Sequence, residues 1–162
     1  WGTENSGPKA AQKESFAGRA AVICDREDSE QDALALVENI AKNLEMHLIY
    51  MNADAHDIHT AYISHISHIT SYALANTVLE KEREEDTIFQ LASSGFSSTV
   101  RLAKSHPEMW VPIFKQNKEN VLDVLNEHIT QLRKFKSALE KENFELLEEL
   151  IKNANKIRGI LK

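Results

Sequence analysis

From His56 to Ile69 the chain reads His-Asp-Ile-His-Thr-Ala-Tyr-Ile-Ser-His-Ile-Ser-His-Ile, which holds four of its seven histidines. No Gly or Pro interrupts the run onward to about Glu80, so a helix is the least costly conformation. Asp54 stands just ahead and can cap it, its carboxylate accepting from a free N–H of the first turn. At about 100° per residue, Ala61, Ser64, His65, His68 and Tyr72 fall on one stripe. Ile63, Ile66, Ile69 and Leu74 flank that stripe, while His56 and His59 fall mostly elsewhere. An imidazole set among apolar rows is either satisfied in a core or turned toward something polar. His65 and His68, at i and i+3, could also share a metal. No His-Glu-x-x-His pattern occurs, however, and no nearby Cys or Asp completes a ligand set.

The totals narrow the classes. A chain of 162 residues suits one domain, or one domain with a piece of another. A net charge of −6 and a pI near 5.7 argue against a nucleic-acid partner. The single cysteine, Cys24, leaves no intrachain disulfide framework and fits a reducing, cytoplasmic compartment. No apolar run is long enough to span a bilayer. A chain that begins Trp1-Gly2, without Met, reads as a trimmed piece of a longer one.

Gly, Asn, Ser and Pro crowd residues 1–8, which reads as a loop. Ala20 to Cys24 is a short apolar run bounded by Gly18 and by Asp25-Arg26-Glu27-Asp28, and reads as a buried strand. Ser29 can cap a following helix, along which Leu34, Val37, Ala41 and Leu44 recur at helical spacing. Met46 to Met51 is a second strand. Strand, helix and strand make a βαβ unit, but two strands do not form a stable parallel sheet alone. Residues 1–53 therefore read as the closing edge of a larger α/β domain. No G-x-G-x-x-G turn occurs in the chain.

Beyond residue 53 only helices are expected. Glu80 to Asp86 is a solvated helix end. Thr87 to Ser94 forms a short helix stopped by Gly95, and Thr99 to Ala103 lies on another. Ser105-His106-Pro107 is a break, with Pro107 suited to a first helical turn. Met109, Trp110, Ile113 and Phe114 form an apolar knot around Pro112. Asn117 can cap a long helix on which Val121, Leu125, His128, Leu132, Phe135 and Leu139 alternate by four and three. Asn143 can cap a last helix with Phe144, Leu147, Leu150, Ile151, Ala154, Ile157 and Leu161 on one face. A second subunit or an intrachain bundle could cover these faces, and the excess of apolar surface favours the second subunit.

The words of the sequence resemble the prephenate dehydrogenase family. His56-Asp57, a spacer ending in Ala61, then Ser64-His65-x-x-His68 match the opening of that family's helical domain. Gly95-Phe96, Thr99, Arg101-Leu102-Ala103, Pro107 and Trp110 continue the pattern. Gly2-Thr3-Glu4 matches the end of a His-Pro-Met-x-Gly-Thr-Glu segment at the edge of the cofactor domain, whose catalytic histidine would precede Trp1. Ser97-Ser98 depart from the charged pair that many relatives carry there.

The resemblance implies a mainly α fold: a helical substrate-binding and dimerisation domain over 54–162, preceded by a truncated βαβ remnant of a Rossmann-type domain over 1–53. It implies oxidative decarboxylation of prephenate, or the same chemistry on arogenate, toward tyrosine. NAD or NADP would be bound mainly by a missing N-terminal domain. Arg101 would hold a substrate carboxylate and His68 would contact substrate, with Ser64, His65 and Trp110 as neighbours and Thr3 and Glu4 lining the pocket from the other domain. No catalytic residue would lie in this piece, which would lack dehydrogenase activity alone and form a homodimer. Two other classes stay open from the residues: a non-catalytic helical dimerisation module and a small metal-dependent helical protein.

Overall fold

A computed structural model describes residues 7–11, 13–83 and 87–161. Ala20–Cys24 (β1) and His47–Met51 (β2) pair in parallel, with Ala20 opposite His47 and Cys24 opposite Met51. A parallel pair requires a crossover, here the helix Gln31–Asn43 (α1). Ala21 and Ala41 bring helix and strand together over Met46, with Leu48 packed against them. One helix covers one face only, so Val22 and Ile49 on the other face of the strands stay exposed.

Ser29 does not cap α1. Its N–H closes a 3₁₀ turn, Arg26–Asp28, on the Arg26 carbonyl, which moves the helix start onward and leaves Glu30 at the cap position without a side-chain bond. At the other end α1 finishes in a Schellman motif. Met46 N–H donates to the Ala41 carbonyl and Glu45 N–H to that of Lys42, with Glu45 in the left-handed region at φ 55°.

A long helix follows in three parts: Ala53–Thr60 (α2), a π-helical turn Ala61–His65, and Ile66–Glu82 (α3). Asn52, rather than Asp54, caps it, accepting from Ala55 N–H at 2.7 Å. Asp54 falls inside the first turn, where its charge still complements the helix dipole. Asp25, at the end of β1, accepts from Ala53 N–H through both carboxylate oxygens, at 3.1 and 3.3 Å. The βαβ unit and the long helix are therefore joined by a charge-assisted cap.

Next come a 3₁₀ turn Ile88–Leu91, Ser94–Thr99 (α4), a 3₁₀ turn Arg101–Lys104, Pro107–Gln116 (α5), Lys118–Glu140 (α6), Phe144–Ala154 (α7) and a 3₁₀ turn Asn155–Gly159. Gly95 does not stop a helix. Its φ is not positive, as a terminating glycine requires, and it lies in the first turn of α4, where its carbonyl accepts from the hydroxyls of Ser98 and Thr99.

The chain divides into two compact units, one ending at Val121 and one beginning at Leu122. In the second, Asn143 caps α7 as its position suggests, accepting from Leu146 N–H at 3.0 Å. The preceding helix ends in a second Schellman motif: Asn143 N–H reaches the Ala138 carbonyl and Glu142 N–H that of Leu139. Glu142 sits there at φ 51°. Leu132, Leu139, Phe144, Ile151, Ile157 and Leu161 are exposed among the described residues.

A glutamate in the left-handed region carries a steric cost that glycine avoids. Glu142→Gly is expected to raise the free energy of unfolding by about 0.5–1 kcal/mol in urea titration. No gain over Glu142→Ala would contradict the assignment of this corner.

Candidate functional site

Within the long helix the N–H of Ile66 donates to the carbonyl of Ala61, five residues back, which defines the π turn. Such turns are uncommon and recur at functional sites. The buried face around and after it carries Ala61, His65, His68 and Ser71. Ser64 and Tyr72, expected on that stripe, are half-buried at its margins. Ile63, expected as an apolar flank, is 76% exposed, and Tyr62 beside it is exposed too.

Helix α5 supplies the opposite wall. Pro107 starts it, as its missing N–H permits. Pro112 lies inside it and leaves the Glu108 carbonyl without its helical donor; Glu108 is exposed, so water can serve instead. Trp110 points inward and Phe114 is half-buried, whereas Met109 and Val111 face solvent, so the expected apolar knot is narrower than the sequence suggests. The His68 ring stacks on Trp110 with centroids 3.4 Å apart and planes 27° from parallel. His65 meets the same indole edge-on at 6.0 Å, and Phe114 lies 5.4 Å from it. Aromatic pairs of this kind contribute about 0.5–1.5 kcal/mol beyond burial.

The hydrogen bonds fix both rings. His68 Nδ1 lies 3.0 Å from the Ser64 carbonyl, which can only accept, so Nδ1 carries the proton. His65 Nδ1 instead accepts from Asn117 Nδ2 at 3.3 Å. That amide also donates to the Asp57 carbonyl at 2.7 Å, and its oxygen accepts from Asn120. Asn117, expected only as a helix cap, is a buried strut between α5 and the histidine helix. Nothing in its local sequence marks the inward turn. Burial holds His65 below its ordinary value of 6.5. Asp57 pulls the other way, and His68 and His56 add to the depression.

Arg101 is the first residue of the 3₁₀ turn Arg101–Lys104, is exposed, and belongs to a turn lying against α3. The Ser71 hydroxyl reaches that turn from both sides. It donates to the Thr99 carbonyl at 3.0 Å and accepts from Ala103 N–H at 3.1 Å. Tyr72 and Ser105 carry buried hydroxyls with no hydrogen-bond partner among the described residues. Burial pushes the Tyr72 phenol up, and the neighbouring Ser105 hydroxyl pulls it down. The two are close, yet the geometry of a hydrogen bond between them is not met. Thr3 and Glu4 lie outside the described residues.

His56 pairs with Asp57 at 3.0 Å on the surface. Among the described residues no three His, Cys, Asp or Glu side chains converge as a metal site would need. The connection from β1 to α1, Asp25-Arg26-Glu27-Asp28-Ser29-Glu30, is acidic. It offers no glycine-rich turn for a dinucleotide pyrophosphate and would repel one. No helix among the described residues is long and apolar enough to cross a membrane.

A family model described as the dimerization domain of prephenate dehydrogenase matches residues 52–153, and one described as its nucleotide-binding domain matches residues 1–50. The chain is 29% identical over 157 residues to a prephenate dehydrogenase of Bacillus subtilis (strain 168), covering 97% of this chain and 42% of that one. It is also 29% identical over 162 residues to a cyclohexadienyl dehydrogenase of Zymomonas mobilis, covering 99% and 55%. The chain thus spans about half the length of these curated relatives. Among solved structures it is similar to prephenate dehydrogenase from A. aeolicus in complex with hydroxyphenyl propionate and NAD+, with 28% identity and a TM-score of 0.88 over 99% of this chain and 56% of that one. A Synechocystis arogenate dehydrogenase, at 22% identity and a TM-score of 0.77 over 99% and 59%, shares the fold.

The buried His65 gives a signed pH dependence. Its value is lowered on folding, so below pH 6.5 the unfolded chain binds a proton that the folded chain refuses. Stability from this group is complete above that pH and is lost as pH falls toward the lowered folded value. The His65 Cε1 proton should titrate with a midpoint below 6.5, and His65→Gln should flatten the acid limb of stability in the same window. A midpoint at or above the ordinary value would contradict the buried, neutral imidazole.

Proposed function

The chain belongs to the prephenate dehydrogenase family, and from that premise we propose that it supplies the substrate-binding residues and dimer interface of an NAD(P)-dependent, cytoplasmic dehydrogenase. The reaction is the oxidative decarboxylation of prephenate to 4-hydroxyphenylpyruvate, or of arogenate to tyrosine, in aromatic amino acid synthesis. The observation that carries this reading is the His68–Trp110 stack, on a helix face that also anchors the Arg101 turn. A substrate of this class is a cyclohexadiene ring that carries a carboxylate on C1 beside a short arm ending in a second carboxylate. The slab of imidazole and indole suits the ring, and a guanidinium suits a carboxylate through two parallel charge-assisted bonds. The hydroxyphenyl propionate bound by the A. aeolicus enzyme has a ring and a short arm ending in a carboxylate.

In this reading Arg101 holds the carboxylate and His68 contacts substrate, with Ser64, His65 and Trp110 shaping the wall. The acidic β1–α1 connection does not hold the dinucleotide's phosphates. That grip comes from elsewhere in the enzyme, so residues 1–162 alone should not turn substrate over. The division falls near residue 53, with a nucleotide-binding part before it and a helical part after it. A rival reading, a non-catalytic helical dimerisation module, draws on the exposed apolar faces of α6 and α7. Ligand binding separates the two.

In the complete enzyme Arg101→Ala should raise KM for the substrate roughly 30-fold or more, the equivalent of about 2 kcal/mol for a lost charge-assisted contact, and leave cofactor affinity unchanged. An unchanged KM would sink the assignment. His68→Ala should weaken binding less, because a neutral imidazole makes a weaker bond than a guanidinium.

The exposed stripe of Leu132, Leu139, Phe144 and Ile151 should be covered by a second copy. Sedimentation at micromolar concentration should give a dimer, and Leu147→Glu should weaken it. A folded monomer would contradict this part of the reading.

A further inference from the structure

We propose that Ser71 is a positioning residue that sets the location of the Arg101 guanidinium relative to His68; this rests on the reading of Arg101 as the carboxylate-binding group. Ser71 is 1% exposed and sits on α3 three residues after His68, on the same face. Serine and threonine inside a helix usually return their hydroxyl to the carbonyl four residues back. Ser67 does so to Ile63, and Thr77 to Ala73. Ser71 instead sends its hydroxyl out of its own helix. Its proton goes to the Thr99 carbonyl at 3.0 Å and a lone pair takes Ala103 N–H at 3.1 Å. Those two residues stand two before and two after Arg101, so one oxygen grips the turn at both ends of a five-residue arc.

The turn's own backbone bonds are local, Ser105 N–H reaching the Leu102 carbonyl, whereas the Ser71 hydroxyl ties it to α3. Ala103 N–H is shared with the Val100 carbonyl, and α4 before it has six residues. Loss of the Ser71 hydroxyl removes the donor to the Thr99 carbonyl and frees the arc to shift against α3. A guanidinium that must meet a carboxylate with two parallel bonds tolerates little displacement. Substrate affinity, more than turnover, should therefore register the loss.

The test is a double-mutant cycle in the complete enzyme, with Ser71→Ala, Arg101→Ala and the pair, assayed with prephenate and with arogenate. Ser71→Ala should raise KM about tenfold and change kcat by less than about twofold. In the Arg101→Ala background the same change should add less than about twofold, because the group it positions is gone. Ser71→Cys keeps the size with weaker hydrogen bonding and should fall between; if the alanine variant does not fold, the cysteine variant carries the cycle. An equal rise in KM in both backgrounds would mean general loosening and would overturn the clamp. So would an unchanged KM in Ser71→Ala where Arg101→Ala alone raises it. If Arg101→Ala itself leaves KM unchanged, the reading of Arg101 falls and takes the clamp's role with it.

Discussion

One extra residue in the helix between Ala61 and His65 decides where the site's side chains point. A π turn carries a poorer hydrogen-bond pattern than an α turn and persists only where its surroundings hold it. Here the helix is pinned on both sides. Upstream, Asp25 and Asn52 fix the first turn through the N–H groups of Ala53 and Ala55. Downstream, His68 lies flat on Trp110 and Ser71 grips the Arg101 turn. The added residue cannot slide out without rotating one of these ends away from its partner. Just after it, His65, His68 and Ser71 share one buried face at three-residue spacing.

Around that face the polar groups are settled by distinct means. His68 gives its Nδ1 proton to the helix's own backbone, which locks the ring at the angle the indole needs. His65 is kept neutral by burial and receives a bond from Asn117. Buried polar groups that are fully matched specify one arrangement of the elements bearing them, and Asn117 does so for the junction of α5 and the histidine helix. The Tyr72 and Ser105 hydroxyls are the exception, since neither has a described partner.

Much of this was legible in residue order. The gap-free histidine run is helical, the βαβ unit forms from the two apolar runs, Pro107 opens α5 and Asn143 caps α7. A step of about 100° per residue already brings Ser71 to the edge of the His68 stripe, but a serine in a run of serines and threonines carries no mark of the turn it grips. Cap signals were redundant: Asn52 and Asp54 both qualify, and only the geometry of the chain leaving β2 selects Asn52. Contacts between residues far apart in sequence leave no local trace. Asn117 reaching Asp57 and Ser71 reaching Thr99 are of this kind. Arg101 drew attention through the family's words, because an arginine on a short turn is otherwise an ordinary surface residue.

The most direct test of the account is a crystal structure of the complete enzyme with hydroxyphenyl propionate. The account places the ligand carboxylate in a two-bond contact with the Arg101 guanidinium and its ring against the wall that His68 and Trp110 form. A ligand whose carboxylate is held elsewhere, with Arg101 and His68 both out of contact, would contradict it.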